Sequence, residues 1–168
     1  EIRPRDWSSD VCSSDLAGHD DVPIRPDARF VIHHSMPVRG VATSGWSGRS
    51  LSRGIADSVT VLAASAAGAD AAATMIANRV NIEHPGVVRR PARTVRDDSD
   101  LGEILVTCHV PALGVGEITT ALGRGLAYAQ GLVDRGLIHA ALIACQNRYA
   151  ACGLESYWEA DIQGDLAA

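Results

Sequence analysis

The chain has 168 residues, a formal charge of −5 and fifteen basic residues, all of them arginine. No basic block is present, which excludes nucleic acid as a principal partner, because phosphate neutralisation needs clustered cations. No run of about 18 apolar residues occurs, so nothing in the chain reads as a membrane span.

Residues 1–16 stand apart from the rest. Residues 6–16 read D-W-S-S-D-V-C-S-S-D-L, the unbroken translation of a widely used DNA-sequencing adapter strand. The segment is therefore expected to be non-native and is set aside from fold reasoning, as a fusion scar would be. On this reading native sequence begins near Ala17 and is the C-terminal part of something longer. Removing two arginines and four acids with the segment moves the charge from −5 to −3. Cys12 goes too, leaving Cys108, Cys145 and Cys152, an odd set without C-x-x-C spacing. Such a set is neither a disulfide framework nor a zinc site. Cys108 and Cys145 lie in apolar runs and read as small buried hydrophobes in a reducing, cytoplasmic compartment. Residues 17–150 are enough for one domain with a Val/Ile/Leu/Ala core, and 151–168 read as a tail.

In chain order, 19–26 is a polar loop and 29–34, R-F-V-I-H-H, a short strand. On a strand, His33 and His34 point to opposite faces and cannot share a metal. Residues 38–45 form a second strand ending at T-S-G, followed by a Gly/Ser/Arg loop over 46–57. The β-branched run 58–64 reads as a buried strand, and the alanine-rich 66–80 as the strongest helix in the chain. Residues 84–100, with two prolines, four arginines and three aspartates, read as a surface excursion. Residues 103–110 form a strand. A helix over 117–134 has apolar residues at Ile118, Ala121, Leu122, Leu126, Ala129 and Leu132. Gly123, Gly125 and Gly131 weaken that helix while permitting close packing. A buried strand over 138–145 ends the clear pattern, which fades beyond Asn147. Alternating strands and helices predict an α/β (α+β) layer fold.

Two constellations carry possible chemistry. Asp70 and Thr74, four apart on one helix face, form a hard oxygen pair suited to Mg²⁺ or Mn²⁺ if carbonyls, waters or phosphates complete the shell. The competing reading is structural: Asp70 complements the helix dipole and Thr74 bonds back to the preceding turn. The second constellation is 43–50, T-S-G-W-S-G-R-S, whose glycines and hydroxyls leave backbone N–H groups accessible while Arg49 adds a phosphate fork. It lacks the G-K-[ST] ending of a Walker loop, and a plain surface turn is the alternative. His139 and Cys145 lack the orienting base of a thiol nucleophile.

The order of these motifs resembles the C-terminal half of the ApbE-type flavin transferase superfamily. The closer similarity is to an uncharacterised bacterial branch with A-T-S-G-W-x-G-R-S, G-I-A-D-S-V-T-V-L-A and A-D-A-A-A-T-x-I-A-N, standing here at 42–50, 54–63 and 69–78. It continues through D-S-D-L-G at 98–102 and R-G-L-I-H-A-A at 135–141. The resemblance implies an ApbE-like fold and a small-molecule flavin or nucleotide ligand such as FAD. It further implies Mg²⁺ held by Asp70 and Thr74, with Thr43, Ser44, Gly45 and Arg49 in the cofactor loop. In the transferases such a metal sits against the FAD pyrophosphate while FMN is moved to a protein threonine. Between the A-T-S-G loop and the S-V-T-V strand those enzymes carry His-x-x-Asp-Pro-x-Thr-Gly; this chain has only 46–57 there. The expectation is therefore an enzyme related to FMN transferases, a non-catalytic flavin or nucleotide binder, or a structural subunit with no metal.

Overall fold

The computed structural model describes residues 32–48, 50–97, 99–153 and 165–166. The adapter-like segment, the loop at 19–26, most of the first predicted strand, Arg49 and most of the tail lie outside the described residues. The order is β1 (Gly40–Ser44), β2 (Ser58–Ala63), α1 (Ala66–Arg79), β3 (Val88–Pro91), α2 (Ala92–Val95), β4 (Leu105–His109), α3 (Val115–Asp134), β5 (Ala140–Cys145), β6 (Arg148–Cys152) and β7 (Asp165–Leu166).

The main sheet runs β1-β2-β5-β6-β7, and a second sheet pairs β3 with β4. All pairings are antiparallel except β6 with β7. The fold is therefore α+β, with helices gathered on one face rather than threaded between parallel strands. Helix α1 covers β1 and β2, α3 covers β5 and β6, and the two helices touch. Val59, Val61 and Ala63 of β2, Ala69, Ala73, Ile76 and Ala77 of α1, and Ile118, Ala121, Leu122 and Ala129 of α3 build the core between the layers. Strand β5, at the centre, is buried at every position.

Helix α1 starts where Ser65 Oγ accepts a bond from the Gly68 N–H at 3.1 Å, satisfying one of the orphan amides of a first turn. Its small alanine face lets the sheet approach closely: a Cβ at Gly40 would lie 2.2 Å from the Ser65 carbonyl group.

Three expectations are corrected. The described end of the 29–34 strand is coil and turn, closed by Met36 N–H donating to the His33 carbonyl at 2.9 Å. His33 and His34 are both exposed, so the alternation expected of a strand does not apply. The excursion at 84–100 contains β3 and α2, because Arg89 and Arg90 pair with Thr107 and Val106 of β4. The chain does not end its regular structure near Asn147. It turns through Gln146 and Asn147, with φ of 45° and 62°, into β6. Two successive positive φ values match the twist of antiparallel strands. Gln146 is held in that unfavourable region by three hydrogen bonds, one from its own N–H to Asp57 and two between its side chain and Leu113 and Pro111.

Candidate functional site

Strand β1 and helix α1 run in the same direction. Gly40 abuts the helix start at Ser65 and Ala66, while Gly54, in the loop after β1, abuts Ala77 and Val80 at its end. With a rise of about 1.5 Å per helical residue and about 3.3 Å per strand residue, Thr74 comes level with Ser44. Gly40, Ala42 and Ser44 alternate onto the α1 side of the sheet; Ser44 is buried, and among the described residues its Oγ has no hydrogen-bond partner. Buried hydroxyls are normally satisfied, so this one asks for an explanation.

Asp70 is exposed and Thr74 half-buried. Arg79 stacks over Tyr128 of α3 at 5.1 Å, and at about 100° per residue Asp70 and Thr74 lie about 180° and 140° round the helix from it. Both therefore face away from α3, over the outer edge of β1. The structural explanations for this pair find little support. Asp70 lies beyond the first turn, which holds no acidic residue, and the dipole effect falls off within that turn. Thr119 and Thr120 bond back to Val115 and Gly116, but among the described residues Thr74 makes no such bond. No group of three His, Cys, Asp or Glu able to hold a metal occurs among the described residues. An ion here would take hard oxygen donors: the Asp70 carboxylate, the Thr74 and Ser44 hydroxyls, and carbonyl, water or phosphate oxygens.

The other loop residues part company. Thr43 points to the opposite face of β1 from Ser44 and pairs with Thr60 Oγ1 at 2.8 Å. Gly45 is buried, and a Cβ there would lie 2.1 Å from the Asp57 carbonyl oxygen; packing alone requires a glycine. Arg49 lies outside the described residues. Sequence reasoning missed the residue that organises this loop, Asp57. Its carboxylate accepts from the Trp46 indole at 3.1 Å and from the Gln146 N–H, and its carbonyl accepts from Ser47 Oγ at 3.4 Å. Asn78 at the end of α1 fastens the next part, accepting from the Arg53 N–H at 2.9 Å and from Ser52 Oγ at 3.3 Å. The amides of Trp46, Arg53, Gly54, Ile55 and Asp57 are thus all committed within the protein. The exposed stretch at Ser47, Gly48 and Ser50 is the part open to a ligand. The Cys145 thiol is fully buried and pushed up to about 12 by burial and by the neighbouring Asp57 charge, the reverse of what a thiolate nucleophile needs.

A family described as AbpE bacteria matches residues 13–154, reaching four residues into the adapter-like segment. The chain belongs to this family. The AbpE bacteria match takes in β1 to β6, both faces of α1 and the whole 43–57 loop. No curated protein and no solved structure matches the chain. Among the described residues no helix is long and apolar enough to cross a membrane.

Proposed function

We propose that this protein is ApbE-like and binds a flavin nucleotide, FAD, through a divalent ion, Mg²⁺, beside α1, as an enzyme related to FMN transferases. The observation that carries this reading is the placing of Asp70 and Thr74 on the flank of α1 turned away from α3, level with the Ser44 hydroxyl, which has no hydrogen-bond partner among the described residues. When bound, the ion would neutralise charge on a phosphoanhydride. Asp70 would supply the anionic ligand, Thr74 and Ser44 neutral oxygens, and the Ser47–Ser50 edge, with Arg49, the contacts to phosphate.

A second reading, binding without transfer, is favoured by the 46–57 loop. Asp57 and Asn78 tie it to Trp46, Ser47, Ser52 and Arg53, where the transferases carry their His-x-x-Asp-Pro-x-Thr-Gly segment.

Calorimetry of FAD with and without Mg²⁺ tests both. Wild type is expected to bind FAD more tightly with Mg²⁺, and Asp70→Ala to abolish that dependence without unfolding, since alanine suits a helix better than aspartate by about 0.5 kcal/mol. Thr74→Val should weaken it while keeping the packing. Wild-type-like, metal-dependent binding by both variants would overturn the metal site. FMN transfer to a threonine-containing peptide separates the enzyme from the binder.

A further inference from the structure

Three arginine side chains, of Arg79, Arg89 and Arg124, and the main-chain carbonyl of Arg53 gather around Asn81, on the side of α1 opposite Asp70. Arg89 Nη2 donates to Asn81 Oδ1 at 2.6 Å and its Nε to the Arg53 carbonyl at 3.4 Å. Arg124 Nη1 donates to the Asn81 carbonyl at 2.8 Å, and Arg79, two residues before Asn81, lies over Tyr128. Every acceptor here is a neutral oxygen. Among the described residues the ion pairs are His84–Glu117 and Arg93–Glu103, neither of which involves these four arginines. Glu83, exposed and two residues beyond Asn81, pairs with none of them. Arg89 and Arg124 are therefore oriented by dipoles, and among the described residues no carboxylate pairs with either, the state in which arginine forks capture phosphate.

A second observation points the same way. Thr107 of β4 is directly opposite Arg89 of β3, so the two side chains share one face of the small sheet, with Cβ atoms about 5 Å apart. Thr107 is 4% exposed, and among the described residues its Oγ1 has no hydrogen-bond partner. A buried hydroxyl beside a guanidinium whose partners among the described residues are all neutral is a donor awaiting an acceptor.

We propose that Arg89, Arg124 and Thr107 form a phosphate-binding site, for inorganic phosphate or the terminal group of a phosphate monoester. The site is independent of the flavin reading. Arg89 and Arg124 provide the charge and the forks, Thr107 the neutral donor, and Asn81 holds both arginines in place.

Titration calorimetry with inorganic phosphate, against chloride at equal ionic strength, tests it. Wild type should bind saturably, and Arg124→Gln should weaken binding about tenfold or more, as loss of a charged hydrogen-bond partner does. Thr107→Val keeps the shape and removes only the orphan hydroxyl, so it should lose affinity while unfolding no more easily than wild type. Arg96→Gln, an exposed arginine elsewhere, should bind as wild type does. Tighter binding of a nucleoside monophosphate than of phosphate assigns the ester, and equal binding the free anion. No saturable phosphate binding by wild type, or unchanged affinity in both Arg124→Gln and Thr107→Val, would overturn the site.

Discussion

Cys145 lies at the end of the central strand, with its Sγ 3.6 Å from the Ile55 carbonyl and no exposed surface. Burial first, and the Asp57 carboxylate second, raise its thiol from 9.0 to about 12, and burial raises the Cys152 thiol as well. The folded state thus keeps these protons after the unfolded chain has begun to release them. The stabilisation is complete below about pH 9 and is lost as pH rises toward 12. Denaturant titrations should show stability falling above that point with a slope approaching about 1.4 kcal/mol per pH unit. Cys145→Ala should flatten the slope. A flat profile in wild type would contradict the buried thiol. Of the residues singled out from sequence, Asp70 and Thr74 share the expected helix face, while Thr43 and Ser44, adjacent in sequence, face opposite sides of β1. Adjacency in a strand separates side chains, and spacing of four in a helix unites them. Asp57 carried no signal because its partners, Trp46 and Gln146, are 11 and 89 residues away.

At the scale of elements, α3 follows its apolar period closely: Ile118, Ala121, Leu122, Ala129 and Leu132 are buried. Its three central glycines divide by environment. A Cβ on Gly125 would meet Val80 Cγ2 at 2.3 Å, whereas one on Gly123 or Gly131 would meet nothing within 4 Å. Val80 is fully buried and branched at Cβ, so it has little freedom to give way. Gly125→Ala should destabilise by about 1 kcal/mol, overpacking outweighing the gain in helix propensity. Gly123→Ala should instead stabilise by about 0.5–1 kcal/mol. Chemical unfolding of the two variants checks the contrast, and stabilisation by both would mean that α1 and α3 do not approach as described. Two of the missed strands, β3 and β6, lacked the usual local signals. Arg89 and Arg90 lack a strand's alternation, and Gln146-Asn147 lacks the glycine that usually marks a two-residue hairpin turn.

At the scale of the whole molecule, two helices cover one face of a sheet whose central strand is buried on both sides. The segment 1–16 is expected from its codon match to be non-native, and a segment that had not evolved with the domain would have no reason to stabilise it. Deleting residues 1–16 should leave the melting temperature unchanged within error. A fall of several degrees, equivalent to about 1 kcal/mol or more for a chain of this size, would show that the segment packs on the domain.

What the sequence by itself determined is local: the β-branched run of β2, the alanine stripe of α1, the apolar period of α3, the apolar run of β5, and the order of the motifs that the family match spans. Each of these is written within one or a few turns of chain, where hydrophobic periodicity acts. Tertiary structure alone decided the antiparallel order β1-β2-β5-β6, the second sheet, the clamping of the 46–57 loop by Asp57 and Asn78, and the meeting of Arg79, Arg89, Arg124 and the Arg53 carbonyl around Asn81. Those contacts join residues tens of positions apart, and their partners are chosen by which faces the packed layers bring together, a choice that no short stretch of sequence contains.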